Sequence, residues 1–437
     1  MSSRLKNLRV LKSAVNKEHG KGTLGFAGNV VMDMPRLSTG SLAFDFALGG
    51  GIPVGRTTIF WGSESSGKTT AAYRTAAESQ NLCANCLRPV ADLKVVEDID
   101  EETGEVEYVA EATCDCYKAG LFVPRPYPEE MNQQGGLKTV ETIDERSGKK
   151  KKLGLYDLRL QGYEENSFEE FRVALLDIEG AFDHIWAKKL GLDMRRVVYV
   201  RPDTAEEGID IYESLMLTGS VDMLIVDSLA VMTPSAEVEA STMDWQQGLQ
   251  ARLINKMNRL AQSALNVVAK ERGRVPTQLW INQERIDIQK KFGKKEKLPG
   301  GKAQMFSASV IVNMWASKWE KATADSDLKK DFQMEVGKEV RMNFHVEKNK
   351  TAPARVTGNY VLRLAGREAG RIVEGPYVLA QAQKYGLVRK ESASKWMLGD
   401  EEFKSKSALL ARMEDPRVFR ALKRGILERM LKAQSEE

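Results

Sequence analysis

Cysteine and histidine are scarce: four cysteines and three histidines in 437 residues. All four cysteines lie between positions 83 and 116, and none of His19, His184 and His345 is near them. No apolar run approaches the roughly 18–20 residues needed to span a bilayer. The start, Met1-Ser2-Ser3-Arg4-Leu5-Lys6, lacks the apolar segment of a secretory signal. The expected protein is therefore cytoplasmic, without membrane contact, in a compartment where disulfides do not persist. A net charge of only +4 names no partner by itself. What the chain has in plenty is length and apolar content, 42% hydrophobic residues, enough for two or three domains.

Residues Gly62-Ser63-Glu64-Ser65-Ser66-Gly67-Lys68-Thr69 form a complete G-x-x-x-x-G-K-[ST] phosphate loop, followed by Thr70. Two glycines let the backbone turn so that successive N–H groups face one phosphate chain. Lys68 then reaches the β- and γ-phosphates, and the Thr69 hydroxyl is placed for Mg²⁺. The β-branched and aromatic run 57–61 before the loop and the helical stretch 69–78 after it give the strand–loop–helix order that aims a helix N-terminus at an anion. The chain is expected to bind a nucleoside triphosphate.

The rest of that core does not follow at once. Connections in α/β units are short, yet the next apolar runs are 173–178, 197–200 and 223–227. Such runs, alternating with helical stretches, predict a mostly parallel sheet covered on both faces. The expected domains are an N-terminal arm helix (1–35), a discontinuous α/β core (36–80 and 170–365), an inserted β subdomain (81–169) and a small C-terminal α/β domain (366–437). Within the insertion, hairpins are predicted about turns at 102–105 and 146–149. Cys83-x-x-Cys86 and Cys114-x-Cys116, with 27 residues between the pairs, match a structural Cys₄ zinc site, with uncommitted thiols as the alternative.

Val221 to Asp227 ends an apolar strand with an acid, the usual setting of the carboxylate that holds Mg²⁺ beside a phosphate loop. Hydrolysis also needs a group that orients water. Glu179 fits, just past the strand at 173–178, but Asp177, Asp183 and Glu64 compete on sequence grounds alone. Two basic stretches suit a polyanion. One runs from Arg285 through Lys290, Lys291, Lys294 and Lys295 to Lys302. The other is the helix-like segment 416–432, for which a solvated helix face is an equal reading.

Further motifs carry a specific resemblance. Leu37-Ser38-Thr39-Gly40-Ser41, Asp45, Gly49 to Arg56, the phosphate loop, Asp177 to Asp183, Pro202-Asp203-Thr204, Asp227-Ser228, Thr233 to Glu237, Ile281-Asn282-Gln283, Gly300-Gly301 and Lys348-Asn349-Lys350 occur in the order of the RecA family of homologous-recombination ATPases. The chain resembles that family over most of its length outside the insertion. The resemblance implies a RecA-like phosphate-loop ATPase core using ATP and Mg²⁺. It implies Glu179 as the water-activating glutamate, Gln283 as γ-phosphate sensor, Trp186 stacked on adenine, and Asp183 at the base. Lys348 and Lys350 would reach the ATP of the adjacent subunit, and Phe306 would lie at the filament interface. DNA-facing loops are implied at 237–247, followed by Arg252, and at 284–299, where Phe292 stands beside the bases with an ordinary core role as its alternative.

The implied activity is ATP-dependent filament formation on single-stranded DNA, with pairing and strand exchange against homologous duplex. A hexameric helicase motor shares the phosphate loop but not the motifs at 37–56 and 348–350. An ATP-binding DNA-coating scaffold with negligible turnover is a second rival, opposed by Glu179 and Gln283. The zinc-type insertion departs from the usual bacterial pattern, and a divergent, phage-encoded member is one reading of it.

Overall fold

The computed structural model describes residues 3–18, 34–84, 87, 98–99, 106–107, 139–143, 150–154, 171–218, 221–234, 249–272, 275–286, 296–299, 302–317, 339–366, 368–392, 394–413 and 415–436. Its centre is a nine-stranded sheet. In chain order the strands are β1 (Thr57–Gly62), β2 (Val173–Asp177), β3 (Val197–Val200), β4 (Met223–Asp227), β5 (Thr277–Gln283), β6 (Val310–Ala316), β7 (Glu339–Asn349), β8 (Thr357–Arg363) and β9 (Ile372–Val373). Across the sheet they run β9-β8-β7-β6-β1-β5-β4-β2-β3. Neighbours from β6 to β3 pair in parallel, while β7, β8 and β9 add antiparallel pairings. After the phosphate-loop helix the described chain next enters this sheet at β2.

Burial explains why the central strands read as unbroken apolar runs. Phe60, Val173, Leu175 and Ile225 pack on one face with Phe44, Ala72 and Ala76. Ile59, Trp61, Ala174, Leu176 and Val226 pack on the other with Ile209, Tyr212, Ile254 and Met257. Side chains alternate across a strand, so a sheet covered on both faces needs apolar residues at every position. Helices Leu42–Leu48 (α2) and Lys68–Ser79 (α3), which follow the N-terminal helix Ser3–Glu18 (α1), supply the first cover. Helices Ala205–Thr218 and Leu249–Arg272 supply the second.

The motif at 38–45 does local structural work. Asp45 is buried and accepts from the Ser38 hydroxyl at 2.6 Å and from the Thr39 N–H and hydroxyl at 2.7 Å each. Ser41 caps α2 by accepting from the Phe44 N–H. Burial pushes the Asp45 carboxyl up to about 6, against those hydrogen bonds.

The C-terminal residues form helices Gly375–Lys384, Lys406–Met413 and Pro416–Glu436 beside a three-stranded sheet, around a separate core that includes Val378, Trp396, Leu409 and Ile426. Leu42 of α2 enters that core. Lys423 donates to Glu374 at 2.8 Å and to the Gly40 carbonyl at 2.7 Å, while Glu374 also accepts from the Leu42 N–H at 2.8 Å. The two side chains are only 11% and 4% exposed. Breaking a pair so buried costs roughly 3–5 kcal/mol, against about 0–1 kcal/mol for an exposed one such as Arg412–Glu401. This is the polar tie between the C-terminal helix and the start of α2.

Helix Ser3–Glu18 lies within the expected arm and exposes Leu8, Val10 and Leu11. Asp98–Ile99 pairs with Val106–Glu107, and Thr139–Ile143 with Lys150–Gly154, both antiparallel; the predicted turns at 102–105 and 146–149 lie outside the described residues. Among the described residues no helix is long and apolar enough to cross a membrane.

Candidate active site

The site lies along the carboxyl ends of the parallel strands, where open α/β sheets bind ligands. The last residues of β1, β2, β4 and β5 are Gly62, Asp177, Asp227 and Gln283. From β1 the chain enters the phosphate loop and then α3. Gly62 (φ 151°) and Gly67 (φ 81°) take positive φ. A Cβ on Gly62 would collide with the Met314 carbonyl, and one on Gly67 would stand 2.7 Å from the Met342 sulfur. Only glycine fits such positions without strain.

Lys68 folds back over the loop, its Nζ donating to the Gly62 carbonyl at 3.2 Å and the Ser66 hydroxyl at 3.1 Å. Burial lowers the Lys68 pKa, while the carboxylates of Asp227, Glu284, Glu179 and Glu64 work to raise it. The Thr69 hydroxyl donates to Asp227 at 2.7 Å. Burial pushes the Asp227 carboxyl up to about 6; Thr69 pulls it down, and Glu179 and Asp177 add to the rise. Ser63, Glu64 and Ser65 lie on the accessible side of the loop, and Thr70 stands at the start of α3.

The four carboxylates differ in their partners. Asp177 is 2% exposed and fully engaged: it accepts from the N–H groups of Gly180, Ala181 and Phe182 at 2.8–3.1 Å and from the Tyr199 hydroxyl at 2.9 Å. Asp183 caps the helix His184–Lys189 (N-terminal N–H groups of Ile185 and Trp186, 2.9 Å each). Trp186 on that helix donates from Nε1 to Thr70 at 3.1 Å, which ties the proposed base-stacking ring to the phosphate-loop helix. Glu64 is exposed. Glu179 lies between the ends of β5 and β4: Gln283 Nε2 lies 3.2 Å from each of its oxygens, and the Ser228 hydroxyl donates to it at 3.3 Å. The sequence assigns Ser228 no role; the Asp227-Ser228 dipeptide is its one signal.

A family model described as the RecA N-terminal domain matches residues 6–93 and 145–362. The chain belongs to the RecA family. Protein RecA of Chloroherpeton thalassium is 29% identical over 398 residues, 89% of this chain and 80% of the relative. Protein RecA of Chlorobium limicola is 28% identical over 427 residues, 95% and 89% of the two chains. Protein RecA of Rhizobium etli is 30% identical over 313 residues, 71% and 61%. The family match skips 94–144, inside the insertion.

Two further groups of residues lie away from the phosphate loop. Lys348 and Lys350 both donate to the Phe306 carbonyl, at 3.1 and 2.8 Å, at the end of helix Lys302–Ser307. Phe306 itself is 73% exposed and Met305 50%. Burial, then the charge of Lys350, lowers Lys348 to about 8. Second, residues flanking the segment 237–247 meet the start of the segment 284–299. Gln250 donates to the Ala230 carbonyl at 2.8 Å, and Arg285 reaches the same carbonyl at 3.4 Å. Arg285 follows Gln283 by two residues, and the Glu284 N–H donates to the Gly62 carbonyl at 3.0 Å. Arg252 is exposed on the helix after the first loop.

Lys290, Lys291, Phe292, Lys294 and Lys295 lie outside the described residues, as do Cys86, Cys114 and Cys116. Cys83 is buried. Among the described residues no group of three or more His, Cys, Asp or Glu is placed to hold a metal. The pair Thr69 and Asp227 still suits Mg²⁺, which keeps waters and takes much of its coordination from substrate phosphates.

Proposed function

We propose that the chain is an ATP-dependent DNA recombinase that assembles as a filament on single-stranded DNA, pairs it with homologous duplex and exchanges strands. The observation that carries the reading is the bridge between Gln283 and Glu179 at the mouth of the phosphate loop. In it, Gln283 contacts the group that orients water at one end and leads into Arg285 and the basic stretch at the other. Loop N–H groups and Lys68 would hold the phosphates, with Thr69 and Asp227 toward Mg²⁺, which would neutralise charge on the phosphate oxygens. Glu179 would orient and deprotonate the attacking water, Trp186 and Asp183 would take the base, and Lys348 and Lys350 would complete the site of the next subunit. Arg252, Arg285, Lys290, Lys291, Lys294 and Lys295 would neutralise phosphates while Phe292 stands against bases. The cysteine spacing supports a structural zinc at Cys83, Cys86, Cys114 and Cys116.

The test is joint-molecule formation from labelled single-stranded DNA and supercoiled plasmid. Product that needs both ATP and homology is expected. Binding of the strand without pairing would favour a motor or a coating scaffold.

Asp227 sets a pH dependence. Its folded pKa is raised, so the proton contributes stability that is present below the ordinary value of 3.8 and lost as pH rises through about 6. Mg²⁺ needs the carboxylate ionised. Apparent Mg²⁺ affinity in nucleotide binding should therefore fall as pH drops below about 6, approaching tenfold per unit. Asp227→Asn should bind weakly and without that slope; titrations of a fluorescent ATP analogue between pH 5 and 7.5 measure both.

A further inference from the structure

Tyr199 has no role in the site as drawn above. It lies on β3, the edge strand, and is 46% exposed, like Val198 beside it. A bland surface position would leave its hydroxyl to water. Instead the hydroxyl donates to Asp177 Oδ2 at 2.9 Å. The register puts Tyr199 beside Leu175, two residues before Asp177. Two residues of strand rise are about 6.6 Å, roughly the length of a tyrosine side chain, so the phenol reaches along the strand to the carboxylate.

That carboxylate organises the segment between Glu179 and the base-side helix. Its Oδ1 accepts from Gly180 and Ala181, and its Oδ2 from Phe182 and Tyr199. On the other side, the Ile178 and Glu179 N–H groups both donate to the Asp227 carbonyl, at 2.7 and 3.2 Å. Glu179 is thus held from both flanks. The ring of Tyr199 adds a second grip. It stacks on Phe182 with centroids 5.2 Å apart and planes 26° apart, and Phe182 meets the edge of Tyr73 at 5.8 Å and 81°. Tyr73 belongs to α3, so the segment 178–182 is braced between the edge strand and the phosphate-loop helix.

We propose that Tyr199 is a positioning residue for ATP hydrolysis, holding Glu179 in place through Asp177 and Phe182; this rests on the reading of Glu179 as the water-activating group. The phenol acts through another residue and does not touch substrate. Desolvation and the bond to Asp177 raise its pKa, which keeps it a donor at neutral pH. A charge-assisted bond fixes the carboxylate's orientation. Without it, Oδ2 retains only the Phe182 N–H, and the carboxylate can rotate and loosen the turn that follows Glu179. The phosphate loop has its own anchors, so triphosphate binding is not expected to change.

Tyr199→Phe keeps the ring and removes the hydroxyl. Its single-strand-stimulated kcat should fall roughly tenfold, with KM for ATP and binding of a fluorescent ATP analogue within about twofold. In a Glu179→Gln background the same change should have no further effect on single-turnover hydrolysis, because the residue it positions is already disabled. Normal kcat in Tyr199→Phe, with Glu179→Gln inactive, overturns this proposal and leaves Glu179's role standing. Normal hydrolysis by Glu179→Gln defeats the reading of Glu179 and this proposal together. Equal multiplicative losses in both backgrounds, or loss of analogue binding with kcat, would make Tyr199 a merely structural residue and likewise overturn it.

Discussion

Glu179→Gln should bind ATP and single-stranded DNA with nearly unchanged affinity and lose about 10²–10⁴-fold in ATP turnover, the range a positioned general base contributes. The amide retains the shape and an acceptor oxygen for Ser228, but it cannot take a proton. Gln283 donates to the carboxylate oxygens at 3.2 Å, and the new side chain still offers one oxygen to it. Binding is expected to survive because Lys68, Thr69 and the loop N–H groups hold the phosphates independently. Filaments on single-stranded DNA should consequently persist with ATP as they would with a non-hydrolysable analogue. Turnover by phosphate release and filament lifetime by light scattering measure the two halves. Turnover within tenfold of the unaltered chain would remove Glu179 from the chemistry.

The second large effect concerns Lys348 and Lys350. The Lys350 N–H donates to the Ser309 carbonyl, and the Ser309 N–H to the Thr57 carbonyl, which puts Lys350 level with the start of β1; Lys348 lies opposite Ile311, which pairs with Ile59. The phosphate loop begins at the far end of that strand, at Gly62. Three to five residues of strand span about 10–17 Å, whereas a lysine side chain reaches only about 6 Å. The pair therefore cannot serve the phosphate loop of its own chain, and exposed Met305 and Phe306 next to it suit a subunit contact. Changing both lysines to alanine should cut DNA-stimulated hydrolysis about 100-fold or more, as loss of charge against a developing oxyanion does, with nucleotide binding to the lone subunit kept. Mixing that variant with Glu179→Gln is the decisive measurement. If the lysines act across the interface, an equal mixture should regain roughly a quarter of full activity, from interfaces that join an intact Glu179 to intact lysines. No recovery would place both losses in one chain and reject the arrangement.

What was legible in the sequence was local. The phosphate loop is contiguous, and its glycines, Lys68 and Thr69 have chemistry that depends on adjacent backbone. The apolar runs ending at Asp177 and Asp227 announced buried parallel strands, because a sheet covered on both faces leaves no polar alternation. Turn residues marked the hairpins at 98–107 and 139–154. The motif order over most of the chain pointed to the RecA family, which the family match bears out.

What the tertiary structure alone decided was which groups are free to act. Asp177 and Glu179 stand two residues apart and are both carboxylic side chains, yet one is consumed by four donors and the other faces Gln283, 104 positions later. The Tyr199 hydroxyl found its carboxylate through strand register, and Lys423 found Glu374 through helix docking, neither of which leaves a local pattern. The lysine pair reads the same from either end of β7; only strand direction shows that it points away from its own phosphate loop. Sequence determines backbone propensity and chemical type, since both are properties of neighbouring residues. Partner choice, burial and side-chain reach depend on distances across the fold, and so on how the strands are ordered and which way they run.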